Sequence, residues 1–195
     1  RKYLYYLLGL IYMDLNEKTK SIQSFELSIN GSKGQSFLVP VSLYLGDLYF
    51  EERKYNQALE KYQVFESQMG PVDKKYVEYK LAWISLNMGS YDKSIDQFIQ
   101  IIQRGSEEAY YKDSISSVAF LLADTKEQEQ CLDYVRKTKL STKESLEIIS
   151  LVYFNISKNA QKSHDKLLNY LLQQENDSSK KARIIMNELN LAFDK

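Results

Sequence analysis

The sequence contains few of the residues that build catalytic, metal or redox sites. Among its 195 residues there is one cysteine, Cys131, and one histidine, His164. A single cysteine excludes an intramolecular disulfide and a cysteine-based metal site. We interpret Cys131 as a buried packing residue and His164, which has charged neighbours, as a solvated surface residue. The sequence has no phosphate-binding glycine loop and no nucleophile elbow, so we expect no enzyme, no cofactor and no metal.

The chain also has no excess of charge, since its 26 basic and 26 acidic residues balance. Binding to nucleic acid or to an anionic membrane surface requires a cationic field, so we expect neither. An apolar run opens the chain at residues 3–13. Eleven residues are too few to span a bilayer, and we therefore expect no direct insertion of this chain into a membrane. Because the chain does not begin with methionine, we interpret it as a fragment or a processed form.

Only two prolines and seven glycines occur, which favours a mostly helical protein. Small residues recur along it at a nearly constant step of 36 or 37 residues, at Gly9, Gly46, Ala82 and Ala119. Twelve residues after each of these lies another small residue, at Ser21, Ala58, Ser94 and Cys131. Four residues further on lies a large one, at Phe25, Tyr62, Phe98 and Val135. The first two copies share the motif Leu-Gly-x-x-Tyr, and the opening run belongs to the first copy.

This pattern resembles the tetratricopeptide repeat family, in which a Leu-Gly-x-x-Tyr segment precedes an Ala-x-x-x-Phe segment. The resemblance covers residues 2–139 directly and the remainder by continuation. It implies an all-α fold, a right-handed α-solenoid of about five antiparallel helix pairs with a C-terminal capping helix. Small residues let the two helices of a pair approach closely, and stacking of the pairs buries their apolar faces.

No linker divides the chain, so we predict a single domain over residues 1–195. The predicted repeats are 2–37, 39–74, 75–110, 111–140 and 141–175, and the predicted capping helix is 178–193. The fifth repeat opens with a helix over residues 142–156, for which Thr142, Glu144 and Ser145 provide a polar start. The capping helix has apolar residues three and four apart, as an amphipathic helix requires.

The resemblance also implies a binding surface, because the first helices of such repeats line a concave groove. The matching positions predict partner contacts at Tyr6, Leu43, Asp47, Phe50, Tyr76, Tyr79, Trp83, Asn87 and Phe120. Rigid aromatic side chains with a few polar residues are suited to anchoring a peptide or a partner protein. The alternative is that these aromatic residues only pack between neighbouring helices. The family's clamp for acidic C-termini uses lysine and asparagine, and Asn87 alone matches it, so we do not expect that clamp.

Two functions follow as hypotheses. The first is a non-catalytic interaction module or scaffold that binds a peptide or partner protein in the concave groove. The second is a structural assembly component that contacts partners, or a further copy of itself, through its convex face or its ends. The third repeat is similar to repeats of bacterial cell-envelope proteins, which favours a periplasmic location, with the cytoplasm as the alternative.

Overall fold

The computed structural model describes residues 1–30, 38–67, 71–107, 109–126 and 128–156. These residues form nine α-helices and contain no strand, which confirms the all-α fold class for the described part of the chain. The chain divides into two compact units, residues 1–97 and 98–195. The helices are α1 (Lys2–Asp14), α2 (Lys18–Ile29), α3 (Leu38–Glu51), α4 (Tyr55–Glu66), α5 (Pro71–Asn87), α6 (Tyr91–Ile102), α7 (Tyr111–Thr125), α8 (Gln128–Lys137) and α9 (Thr142–Ile156).

The first four helices form two pairs, and each pair packs on the helix that follows it. Helix α1 packs on α2, and α3 packs on α4. Between the pairs, α2 packs on α3 and α4 packs on α5. In the second unit, both α7 and α8 pack on α9. One pair cannot bury its apolar face alone, so each unit completes its core between pairs, as the repeat pattern predicts.

The two helices of a pair cross where the repeat places its first small residue. A Cβ atom added to Gly46 would lie 2.7 Å from Cδ1 of Tyr62, and one added to Gly9 would lie 2.5 Å from Cε1 of Phe25. Both rings are fully buried. They occupy the space that a larger residue on the first helix would need, so the predicted close approach is confirmed in these two pairs.

The second small position of the repeat makes a hydrogen bond across the pair. The Ser21 hydroxyl donates to the carbonyl oxygen of Gly9, and the Ser94 hydroxyl donates to that of Ala82, each over 2.8 Å. In the fourth pair the buried Cys131 thiol donates to the carbonyl oxygen of Leu122 over 3.2 Å. A buried polar group needs such a partner. The interpretation of Cys131 as a buried packing residue is confirmed.

Three of the turns within pairs have the same backbone conformation and hydrogen bond. Asn16, Arg53 and Gly89 adopt positive φ angles of 57°, 58° and 77°, in the left-handed region. In each turn the next residue's N–H donates to a carbonyl oxygen five residues back, which is the Schellman arrangement that ends a helix. These bonds run from Glu17 to Tyr12 over 2.8 Å, from Lys54 to Tyr49 over 2.8 Å and from Ser90 to Ser85 over 2.9 Å.

Helix α9 covers the residues predicted for the fifth repeat's first helix, Thr142–Ile156. Its start is a capping box between Ser141 and Glu144. The Glu144 N–H donates to Ser141 Oγ over 3.3 Å, and the Ser141 N–H donates to Glu144 Oε2 over 2.8 Å. The capping hydroxyl is thus one residue earlier than the polar start predicted at Thr142. The rest of the fifth repeat, His164 and the predicted capping helix lie outside the described residues.

The close contact between Gly46 and Tyr62 yields a prediction about stability. In an ordinary helix, replacing glycine by alanine stabilises by about 0.5–1 kcal/mol. Here we expect Gly46→Ala to lower the free energy of unfolding by about 1–2 kcal/mol, because the new methyl group displaces a buried ring. Urea unfolding followed by circular dichroism measures the change. Stabilisation of the variant would contradict the close approach, and a smaller loss in a Tyr62→Leu background would support it.

Candidate protein-binding surface

The predicted surface residues are spread over both compact units. Tyr6 lies on α1, and Phe120 lies on α7 in the second unit. The other seven lie on two helices of the first unit, with Leu43, Asp47 and Phe50 on α3 and Tyr76, Tyr79, Trp83 and Asn87 on α5. Most of these seven belong to one connected set of contacts, which we call the Asp47 cluster: Asp47, Phe50, Tyr55, Tyr62, Tyr76, Lys80, Trp83 and Asn87.

The carboxylate of Asp47 joins three helices at the centre of this cluster. Its Oδ1 atom accepts a hydrogen bond from the Tyr62 hydroxyl on α4 over 2.5 Å and another from the Tyr76 hydroxyl on α5 over 2.6 Å. The Nζ atom of Lys80, also on α5, lies 4.0 Å from the same oxygen. Hydrogen bonds to a charged acceptor are stronger than neutral ones. Asp47 therefore fixes α5 against the pair formed by α3 and α4.

Lys80 brings the aromatic residues of α3 and α5 together. Its Nζ atom lies 4.5 Å from the ring centre of Phe50 and 5.3 Å from that of Tyr76, within the range of a cation–π interaction. The Lys80 side chain is only 21% exposed. Sequence reasoning did not select Lys80, although its position four residues after Tyr76 and three before Trp83 places all three on one side of a helix.

The C-terminal end of α5 is tied to the start of α4. The Tyr55 hydroxyl donates to Asn87 Oδ1 over 2.9 Å, and Asn87 Nδ2 donates to the carbonyl oxygen of Trp83 over 2.8 Å. The Tyr55 ring also packs edge-on against Phe50, with 5.8 Å between ring centres. Asn87 is thus engaged within the chain while remaining exposed. Tyr55 was not predicted, because its role depends on the pairing of α4 with α5.

The α5 face continues with an aromatic pair. The rings of Tyr79 and Trp83 meet edge to face, with 6.3 Å between their centres, and both side chains are half-buried. Edge-to-face contact is a favoured arrangement of two aromatic rings. The structure therefore places Phe50, Tyr76, Tyr79 and Trp83 on adjoining helices, where the aromatic rings are restrained by their neighbours and still partly accessible.

The remaining predicted positions behave differently. Tyr6 packs against Tyr3 and Phe25, with 5.9 and 6.4 Å between ring centres, and burial raises the pKa of its hydroxyl. Leu43 is half-buried and packs against the core of the first unit. Phe120 is 58% exposed in the second unit. Tyr6 and Leu43 thus pack within the first unit, and partner contacts at these positions stay a prediction.

Within the residues that the structure describes, the aspartate, glutamate, cysteine and histidine side chains form no group that could hold a metal ion. None of the helices in the same residues is both long enough and apolar enough to cross a bilayer. The candidate surface presents the aromatic side chains of α3 and α5 and the exposed amide of Asn87.

Comparison with known proteins gives one family match. Residues 3–30, which span α1 and α2, match the family model of the tetratricopeptide repeat. The resemblance predicted from the repeated motif is thus supported at the first helix pair. No curated protein sequence matches the chain.

Among solved structures, the chain is similar to the tetratricopeptide repeat domain of P58(IPK), with 12% identity and a TM-score of 0.32. The match covers 95% of this chain and 56% of that one.

Removing the central carboxylate should destabilise the first unit. We expect Asp47→Ala to lower the free energy of unfolding by about 1–3 kcal/mol, because the buried Tyr62 hydroxyl loses its acceptor. Asp124→Ala, which removes an exposed carboxylate on α7, serves as the matched control and should have little effect. Denaturant unfolding of both variants tests this, and equal losses would show that Asp47 does not join the helices.

The buried tyrosine at the cluster predicts a loss of stability in alkali. Burial, and next the nearby Asp47 carboxylate, raise the pKa of Tyr62 above its ordinary value of 10.0. When folding raises the pKa of a group, the folded protein keeps its full stability below the pKa of the unfolded chain. Above that pH the unfolded chain releases the proton more readily than the folded one, so the free energy of unfolding falls. The free energy of unfolding should therefore fall above pH about 10, and less steeply in Tyr62→Phe. If the free energy of unfolding fell equally steeply with pH in the wild type and in Tyr62→Phe, the loss of stability could not come from Tyr62.

Proposed function

We propose that this chain is a non-catalytic protein-interaction module that binds a peptide or partner protein on the face formed by α3 and α5. Tetratricopeptide repeats generally mediate interactions between proteins, and the first helix pair matches that family. In such repeats the first helices line the binding groove, and α3 and α5 hold that position in the second and third repeats. This correspondence supports the α3 and α5 face as the binding surface.

The observation that carries the proposal is the restraint on the aromatic side chains of the Asp47 cluster. Phe50 is held by Lys80 and Tyr55, and Trp83 is held by Tyr79. An aromatic side chain already fixed in one orientation loses little conformational entropy when a partner binds. Such residues commonly supply most of the binding energy at an interface.

The cluster also indicates what a ligand would contact. Asp47 and Lys80 are engaged with each other and with tyrosine hydroxyls, so they stabilise the surface and are poorly placed to recognise a charged ligand. The half-buried rings offer apolar contact area, and the exposed Asn87 adds an amide at one end. We therefore propose a ligand that contributes an apolar or aromatic side chain to Trp83 and Phe50, with polar contacts around it.

A second candidate function, a structural assembly component, is favoured by a different observation. Helix α1 exposes several large apolar side chains that belong to no part of the α3 and α5 face. The periplasmic location suggested by the third repeat stays a prediction for either function.

A displayed library of random peptides tests the binding surface directly. Peptides selected on the wild-type chain should bind Trp83→Ala about tenfold or more weakly, because a central aromatic anchor is removed. Leu27→Ala serves as the control, since it truncates an exposed apolar residue on α2. Circular dichroism would establish that both variants keep their helices. Selected peptides that bind Trp83→Ala as tightly as the wild type would overturn the proposal.

A further inference from the structure

Two successive junctions between helix pairs join the same two positions of the repeat. The first residue of α2, Lys18, lies with its Nζ atom 2.8 Å from Oε2 of Glu51, the last residue of α3. The first residue of α4, Tyr55, donates its hydroxyl over 2.9 Å to Oδ1 of Asn87, the last residue of α5. Each link thus runs from the start of the second helix of one pair to the end of the first helix of the next pair.

At the second junction these bonds fix which way round the Asn87 amide lies. The carbonyl oxygen of Trp83 can only accept, so the atom 2.8 Å from it is Nδ2, and Oδ1 is turned toward Tyr55. The amide nitrogen has two N–H donors and the oxygen has two lone pairs. Each atom makes one bond within the described residues. One N–H and one lone pair of Asn87 therefore remain for a ligand.

The Asn87 amide lies beside the aromatic anchor of the proposed binding face. Asn87 follows Trp83 by four residues, so both residues lie on the same side of α5. They are separated by about 6 Å along the helix axis. Asn87 is exposed and Trp83 is half-buried. A ligand that places an apolar side chain on Trp83 can therefore reach the amide with a neighbouring polar group.

Tyr55 contacts the face through two different parts of its side chain. Its ring packs edge-on against Phe50, with 5.8 Å between ring centres, and its hydroxyl reaches Asn87. A phenylalanine at position 55 would keep the ring contact and remove only the hydroxyl. The packing role of Tyr55 can thus be separated from its hydrogen bond by one substitution.

We propose that Tyr55 is a positioning residue, which orients the amide of Asn87 toward a peptide or carboxamide group of the bound ligand. Such a group offers one acceptor and one donor, which match the N–H and the lone pair that remain on Asn87. Holding the amide in its bound orientation reduces the entropy lost on binding. The orienting role rests on bonds within the chain, whereas the ligand contact rests on the proposed function.

Nitrogen-15 relaxation of the Asn87 side chain tests the positioning without any ligand. Its signal is the side-chain amide resonance that disappears in Asn87→Ala. We expect the order parameter of Nδ2 to fall in Tyr55→Phe to the range of flexible groups, below about 0.6. Tyr49→Phe is the matched control, because it removes a hydroxyl that donates over 3.0 Å to Glu26 on α2, and it should leave the order parameter unchanged. An unchanged order parameter in Tyr55→Phe would overturn the proposal, whatever the chain binds.

The affinities of peptides selected from the displayed library test the consequence for binding. For peptides that need Trp83, we expect Asn87→Ala and Tyr55→Phe each to raise the dissociation constant by about two- to tenfold, as the loss of one hydrogen bond does. Tyr55→Phe should have no further effect in an Asn87→Ala background, because the side chain that it orients is absent. Tyr49→Phe should leave the dissociation constant unchanged.

The outcomes separate this proposal from the proposed function. Peptides that bind Trp83→Ala as tightly as the wild type would overturn the binding face, and the relaxation measurement would still decide the role of Tyr55. Peptides that need Trp83 but bind Asn87→Ala or Tyr55→Phe as tightly as the wild type would overturn this proposal alone. A loss in Tyr55→Phe that persists in full without Asn87 would also overturn it, since that loss would come from the fold.

Substitutions in the peptides identify the ligand group that Asn87 contacts. Each asparagine and glutamine of a selected peptide is replaced by alanine, and the effect of Asn87→Ala is measured again. An effect that disappears comes from a carboxamide side chain of the peptide. An effect that remains comes from a peptide group of its backbone.

Discussion

The close approach of two helices at a residue without a side chain is the constraint on which the first unit depends. At Gly46 the backbone of α3 lies against the ring of Tyr62, and the same holds for Gly9 and Phe25. Packing at this distance leaves no space for water between the helices. Each ring belongs to the second helix of its pair and contacts the backbone of the first. The position of α2 relative to α1, and of α4 relative to α3, follows from these contacts.

The candidate surface depends on the same constraint through one residue. The Tyr62 ring fills the space beside Gly46, and its hydroxyl donates to Asp47. Asp47 in turn accepts from Tyr76 on α5. The packing of one pair is thereby linked to the placement of the next helix, because Tyr62 on α4 and Tyr76 on α5 donate to the same carboxylate.

The sequence pattern predicts local features well and contacts between repeats poorly. The small positions Gly9, Gly46 and Ser94 could be recognised because their role lies within one pair, over a fixed spacing. The roles of Lys80 and Tyr55 could not be recognised, because they depend on contacts between helices that are distant in the sequence. The pattern also could not show that α5 starts at Pro71, ahead of the repeat boundary at residue 75, because proline is accepted in a first helical turn and no periodicity marks it.

The left-handed turns at Asn16, Arg53 and Gly89 bear on the order of events when the chain folds. Each turn, the helices on either side of it and the contacts that lock them lie within one short stretch of sequence. A pair can therefore assemble from contacts of low contact order before distant parts of the chain meet, which favours rapid folding. A chain built in this way can lengthen or shorten by whole helix pairs. Each added pair brings its own left-handed turn and its own contacts between the two helices.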